Sequence, residues 1–212
     1  MPKTGGKLIV FEGVEGCGKT TQIQRTFQWL QANYPLHDVV VTRQPGGTVL
    51  GNSIRRLLLD SLSTPISNSA ELLLFAADRA QHVEEVLHTS LEKGSIVLCD
   101  RYTDSTIAYQ GYGRGMDLNL IDQLNRIATG GLKSDLTIWL DVDIDVSLAR
   151  TTDRRAVDRI ETENFAFHRR VQMGYTKLAS LHPDRIVRVD ASLNETAVQE
   201  QIQAILRQHL AQ

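Results

Sequence analysis

The chain has 212 residues, 42% of them apolar and 23% charged, with a formal net charge of −2. That supplies one globular core and excludes the basic excess by which nucleic-acid-binding surfaces are recognised. The longest apolar runs, 8–11 and 72–77, fall far short of the roughly twenty residues of a bilayer span, and the opening MPKTGG lacks the apolar core of a signal peptide. A cytoplasmic protein is expected, with neither membrane nor nucleic acid as partner.

The first β-branched run, Lys7–Glu12, leads into Gly13-Val14-Glu15-Gly16-Cys17-Gly18-Lys19-Thr20, which fits the G-x-x-x-x-G-K-[ST] phosphate-binding pattern. Glycines there can take backbone angles closed to other residues and aim several N–H groups at one anion, and the following helix adds its positive end. Lys19 supplies a point charge for the terminal phosphates, and the Thr20 hydroxyl is placed to ligate magnesium. Magnesium nucleotide is the implied ligand. Cys17 and Cys99 have neither C-x-x-C spacing nor a histidine nearby, so reduced, structural thiols are expected, and no histidine pair has metal-ligand spacing.

Further strands are expected at Asp38–Arg43, Ser95–Asp100, Asp135–Asp141 and Arg185–Asp190. Helical patterns fall between them, at Lys19–Ala32, Val49–Asp60, Ser69–Glu92, Asn119–Ala128, Val146–Thr151, Asn164–Leu181 and Glu195–Ala211. This alternation implies an α/β fold: a five-stranded, mostly parallel sheet with helices on both faces. Ligands of such sheets lie beyond the carboxyl ends of the strands, so Gly13–Thr20, Arg43–Thr48 and Asp100–Arg101 should face one crevice.

In the long third helix, Asn68 can act as N-cap with Glu71 three residues later, and Gly94 can end it. Phe75 and Arg79 share one of its faces, where a ring and a guanidinium can stack on a base and bind its edge, although taken alone Phe75 reads rather as a core residue and Arg79 as an ordinary surface arginine. Asp100 ends a buried-looking strand, a place for an acid that holds magnesium through water. Arg101 beside it suits a second phosphate, and in a helix from Thr103 onward Thr106, Tyr109 and Gln110 share a face. Arg150, Arg154, Arg155, Arg159, Arg169 and Arg170 crowd into one stretch, either a solvated helix face or a phosphate-facing cluster.

Together these segments resemble the thymidylate kinases, the P-loop kinases that phosphorylate dTMP with ATP. The matching stretches are FEGVEGCGKTT at 11–21, TRQPGGT at 42–48, DRYTDSTIAYQ at 100–110, GYGRG at 111–115 and DRIE at 158–161. The resemblance implies a P-loop NTPase fold in a single domain over 1–212, with a mobile lid around 150–161. ATP and Mg2+ would be the cofactors, dTMP the substrate, and a homodimer the assembly. It places ATP on Gly13, Glu15, Gly16, Cys17, Gly18, Lys19, Thr20 and Thr21, with Arg150 near the adenine and Thr20 and Asp100 at the metal. Glu15 is similar to the acid facing the 3′-hydroxyl of the acceptor, and Arg101 to the arginine that binds its phosphate. Arg43 and Pro45 are placed beside that substrate. Phe75 resembles the ring stacked on thymine and Arg79 the residue reading its carbonyl edge. Thr106 and Gln110 would border the base, and Tyr109 would lie under the sugar.

The phosphate loop has no basic residue before Lys19, so the resemblance assigns the catalytic arginine to the lid. Arg154 is the first choice, ahead of Arg155 and Arg150, with Arg159 behind. The bacterial members usually carry T-R-E-P-G-G-T, and Gln44 stands here in place of that glutamate. A deoxynucleoside kinase or a kinase for another monophosphate would share the loop and the arginines. A nucleotide-sensing switch would share only the loop.

Overall fold

A computed structural model describes residues 5–59, 65–152, 159–160 and 162–211. Five strands, β1 (Lys7–Glu12), β2 (Val39–Arg43), β3 (Ile96–Asp100), β4 (Leu136–Asp141) and β5 (Ile186–Asp190), form one sheet in the order β2-β3-β1-β4-β5, with every pairing parallel. The expected strands are present, four of them one residue shorter at the start. Central β1, β3 and β4 are almost wholly buried and the edge strands β2 and β5 only in part, which is why the former read as unbroken apolar runs.

Register places the functional segments side by side. Arg43 pairs with Asp100, and Asp100 with Phe11, the residue before Glu12, so the carboxyl ends of β2, β3 and β1 form one rim. Helix α1 (Lys19–Asn33) follows the phosphate loop directly, and α2 (Val49–Leu59) follows the TRQPGGT turn. Ile9, Phe11, Ile138 and Leu140 pack with helical residues such as Leu30, Val171 and Ile202 in the main core, while Leu8, Val10, Val97 and Tyr102 belong to a second cluster.

Helix α3 (Asn68–His82) corrects one expectation. Its N-cap is Ser67, whose hydroxyl accepts from the Ala70 N–H at 3.3 Å, so Asn68 is already helical. The element then widens into a π-helical stretch, Val83–His88, and closes as Thr89–Glu92 before Gly94 at a φ of 80°. The segment after β3 is likewise α-helical only over Thr103–Thr106, and Ile107–Gly113 is π-helical. Among the described residues no helix is long and apolar enough to cross a membrane, and Cys17 and Cys99 are buried free thiols.

Candidate active site

A cavity of about 400 Å³ opens at the rim formed by β1, β2 and β3. It brings together the three expected segments: Glu15, Gly16, Gly18, Lys19, Thr20 and Thr21 from the loop, Arg43 from the end of β2 with Pro45 in the turn that follows, and Asp100 and Arg101 from the end of β3. Phe75, Arg79, Thr106, Tyr109 and Gln110 line it as well. Gly13 and Cys17 are not at its surface but behind the loop. Gly13, at a φ of 143°, leaves no room for a side chain, since a Cβ would stand 2.5 Å from the Leu140 carbonyl oxygen. The buried Lys19 ammonium curls back to donate to the carbonyls of Gly13 and Val14, each at 3.1 Å.

Arg101 is the centre of charge at the rim. It holds a φ of 68°, unusual for a residue with a Cβ, because its N–H donates to the Phe11 carbonyl and its neighbour Tyr102 donates to Glu12 Oε1 at 2.9 Å. Its guanidinium donates to Glu15, to the Gly13 carbonyl at 3.0 Å, and to the hydroxyls of Ser105, Tyr109 and Tyr175. Burial would raise the Glu15 carboxyl, but Arg101 and Lys19 overcome this and hold it down at about 2. Glu12, fully buried 3.9 Å from Arg101, accepts from two backbone N–H groups and from the Ser105 and Tyr175 hydroxyls. Burial pushes its carboxyl above the usual range despite Arg101. Sequence reading passed over Glu12 because it ends an apolar run as ordinary punctuation.

Asp100 is half-buried at the same rim, and its Oδ1 is buried with no hydrogen-bond partner among the described residues. Thr20, exposed in the first turn of α1, lines the same cavity. A carboxylate oxygen and a hydroxyl are hard donors that suit magnesium, which keeps most of its waters and takes further ligands from substrate phosphates. Among the described residues no cluster of three His, Cys, Asp or Glu side chains forms a self-sufficient cage.

The wall that carries Phe75 and Arg79 is a network of side chains. Phe75 is partly buried against the core and also lines the cavity. Arg79 is 3% exposed and no ordinary surface arginine. Nε donates to Gln44 Oε1 at 2.9 Å, Nη1 to Asn125 Oδ1 at 2.7 Å and Nη2 to the Tyr102 carbonyl at 3.0 Å. Because Arg79 requires an acceptor, the Gln44 amide is fixed with its NH2 toward His82 Nδ1 at 2.7 Å, and the His82 Nε2–H is left to donate to Thr42 Oγ1 at 2.6 Å. Burial, with Arg79 nearby, lowers the His82 pKa to about 4, so the ring is neutral. A glutamate at 44 would demand the other tautomer, so the departure from the usual motif has a local partner. Asp78 Oδ1 accepts from the Gly46 N–H at 2.9 Å, tying the turn after β2 to α3.

Arg55, which sequence reading missed, lines the cavity and donates to the Pro45 carbonyl at 3.0 Å. Its place in the amphipathic α2 gave no signal beyond an arginine on a helix. Arg150 stands at the other end of the expected group, exposed, 3.5 Å from the Ala191 carbonyl and not on the cavity wall. Arg159 does not reach the cavity with its charge either, since it donates to the Leu58 carbonyl and to Glu71. Arg154 and Arg155 lie outside the described residues.

Comparison with known proteins agrees with this geometry. The family model described as Thymidylate kinase matches residues 11–202. A thymidylate kinase of Nostoc punctiforme is 62% identical over 208 residues, covering 97% of this chain and 98% of the relative. One from Gloeobacter violaceus is 54% identical over 199 residues, covering 93% and 92%. The crystal structure of thymidylate kinase from Ehrlichia chaffeensis superposes with a TM-score of 0.79 at 36% identity, covering 96% of this chain and 99% of that one.

Proposed function

The chain belongs to the thymidylate kinase family and transfers the γ-phosphate of ATP to dTMP, and on that premise we propose how its residues divide the work. The observation that carries the assignment is the meeting, in one cavity, of the Lys19 loop, the Arg101–Glu15 pair and the Phe75–Arg79–Gln110 wall. Phosphoryl transfer asks the protein for alignment and charge neutralisation rather than covalent chemistry. The backbone of Gly13–Thr21 cradles the ATP phosphates, with Lys19 turning from its loop carbonyls toward them. Arg150, beside the turn after β5, serves the adenine side. Thr20 and Asp100 would hold Mg2+, which supplies charge neutralisation between the phosphates.

On the acceptor side, Arg43 and Arg101 bind the dTMP phosphate. Arg101 then exchanges part of its pairing with Glu15, and the released carboxylate accepts the 3′-hydroxyl. Phe75 stacks on thymine, Arg79 reads a carbonyl, Thr106 and Gln110 border the base, Pro45 walls the pocket and Tyr109 lies under the sugar. The segment around 150–161 acts as a lid of a single domain, and Arg154 within it brings the cation that the phosphate loop lacks. Closure would exclude water and spare ATP from hydrolysis.

We further propose a homodimer in the cytoplasm. Leu57 of α2, Leu73 of α3 and Ile127 of helix Leu118–Thr129 are exposed, and α3 packs against both of the other helices, which leaves large apolar side chains at the surface of the kind that associate. An ADP-release assay with magnesium-ATP and a panel of dTMP, dUMP, dCMP, AMP, GMP and thymidine tests the acceptor assignments. The expected result is a strong preference for dTMP. Preference for thymidine or a purine monophosphate would overturn them.

A further inference from the structure

Glu71 lies in the first turn of α3, where a carboxylate usually faces solvent near the helix dipole, yet its side chain is only 1% exposed. Three residues fill it with donors, Gln110 and Arg114 from the π-helical stretch and its cap, and Arg159 from a separate segment. Oε1 accepts from Gln110 Nε2 at 2.8 Å and from Arg114 Nε at 3.0 Å, and Oε2 accepts from Arg114 Nη2 at 3.0 Å and from Arg159. Each arginine is held in turn, Arg114 by Glu163 and over the Phe167 ring, and Arg159 by the Leu58 carbonyl. The carboxylate therefore has no freedom to rotate. Burial would raise its pKa, but the donors from Arg114, Gln110 and Arg159 hold it below the usual range, so it remains a pure acceptor.

A pure acceptor decides which end of an amide faces it. Gln110 must turn its NH2 to Glu71, which leaves its carbonyl oxygen as the polar end available to the cavity that it lines. We propose that Glu71 is a positioning residue for base discrimination, locking the Gln110 amide so that the acceptor base meets a carbonyl oxygen. That oxygen takes a ring N–H, as the imide of thymine or uracil offers, and turns away cytosine, whose corresponding nitrogen carries a lone pair. The inference rests on the placement of Gln110 beside the base. It adds to that placement a reason for the orientation of the amide and a residue outside the pocket that sets it.

The test is the ratio of kcat/KM for dTMP over dCMP, measured with the full-length enzyme and magnesium-ATP. Glu71→Gln is nearly isosteric but can present either an N–H or a carbonyl to Gln110, so the amide is free to reverse. The ratio is expected to fall by about tenfold or more, the scale of one mispaired hydrogen bond, while KM for ATP stays unchanged. An unchanged ratio overturns the proposal. Gln110→Met, measured beside it, separates the two layers of the argument. If that change leaves the ratio intact, Gln110 does not meet the base and the pocket assignment fails. If it lowers the ratio while Glu71→Gln does not, only the role of Glu71 fails.

Should Glu71→Gln not fold, wild-type protein labelled with 15N-glutamine reads the same point, with the Gln110 side-chain signal identified by its loss in Gln110→Met. One side-chain N–H shifted well downfield of an ordinary glutamine amide and slow to exchange with solvent is expected of an NH2 held by a buried carboxylate. Shifts and exchange rates like those of an exposed glutamine would overturn the lock.

Discussion

The phosphate loop is assembled from consecutive residues, its shape set by backbone angles and its charge by Lys19, whereas the base pocket is assembled from side chains 35 to 46 residues apart, as in Arg79–Gln44, Gln110–Glu71 and Arg79–Asn125. The first construction is local. A motif can state it, and a single substitution can delete it. The second is a mutual arrangement in which every group owes its orientation to a partner from another element, so that a proton added to His82 would disturb Gln44 and a substitution at Glu71 would release Gln110. Under the proposed assignment the first side carries phosphate chemistry common to many kinases and the second the choice of acceptor.

The largest effect expected comes from breaking the transfer side. Arg154→Ala should lower kcat by about 10³–10⁵, or roughly 4–7 kcal/mol of barrier, with little change in KM for either nucleotide. Near-normal turnover in steady-state assays would move the cation to Arg155 or Arg150.

The two sides should also loosen in different pH windows. His82 has a pKa of about 4 in the fold against 6.5 when unfolded, so between these values the unfolded chain binds a proton that the fold does not. Stability is therefore lost as pH falls from about 6.5 toward 4, on the order of 3 kcal/mol. Glu15, held at about 2 against 4.5, contributes stability present above 4.5 and lost only as pH drops further. Urea unfolding at pH 7, 5.5 and 4.5 should show the first loss and a further point at pH 3 the second, and His82→Gln should remove the first while leaving the second. Gln44→Glu should move the first loss, since a carboxylate beside Nδ1 raises the pKa of the ring. A wild-type stability that is flat across this range would contradict a neutral, buried His82.

The smallest of these effects belongs to the base itself. Phe75→Ala should weaken dTMP binding by about 1–3 kcal/mol, the scale of one base–aromatic stack, and leave ATP affinity as an internal control. An unchanged dTMP dissociation constant by calorimetry would return Phe75 wholly to the core.

Much of this was legible in the residues. The five β-branched runs became the five strands, the central three as continuous apolar sequence because a parallel sheet covered on both faces demands it. The Gly13–Thr20 motif states its own conformation, since a glycine at a φ of 143° against the Leu140 carbonyl can be nothing else. Phe75, Arg79, Tyr109 and Gln110 were legible as one group only through the family resemblance. Helical spacing alone left Phe75 as a core residue and Arg79 as a surface one. Glu71 was read as a capping acid because an acid three residues after Asn68 fits that pattern. The cap went to Ser67, and Glu71 turned inward to Gln110, Arg114 and Arg159.

The sequence by itself determined the sheet, the phosphate loop and the kind of ligand, because hydrophobic period and backbone permissiveness act within a few residues of one another. The tertiary structure alone decided which buried charges meet. Glu12 and Glu15 on Arg101, Gln44 and Asn125 on Arg79, and Glu71 on Gln110 are pairings between elements distant along the chain, each enforced because a buried polar group without a partner costs more than the fold can leave unmet.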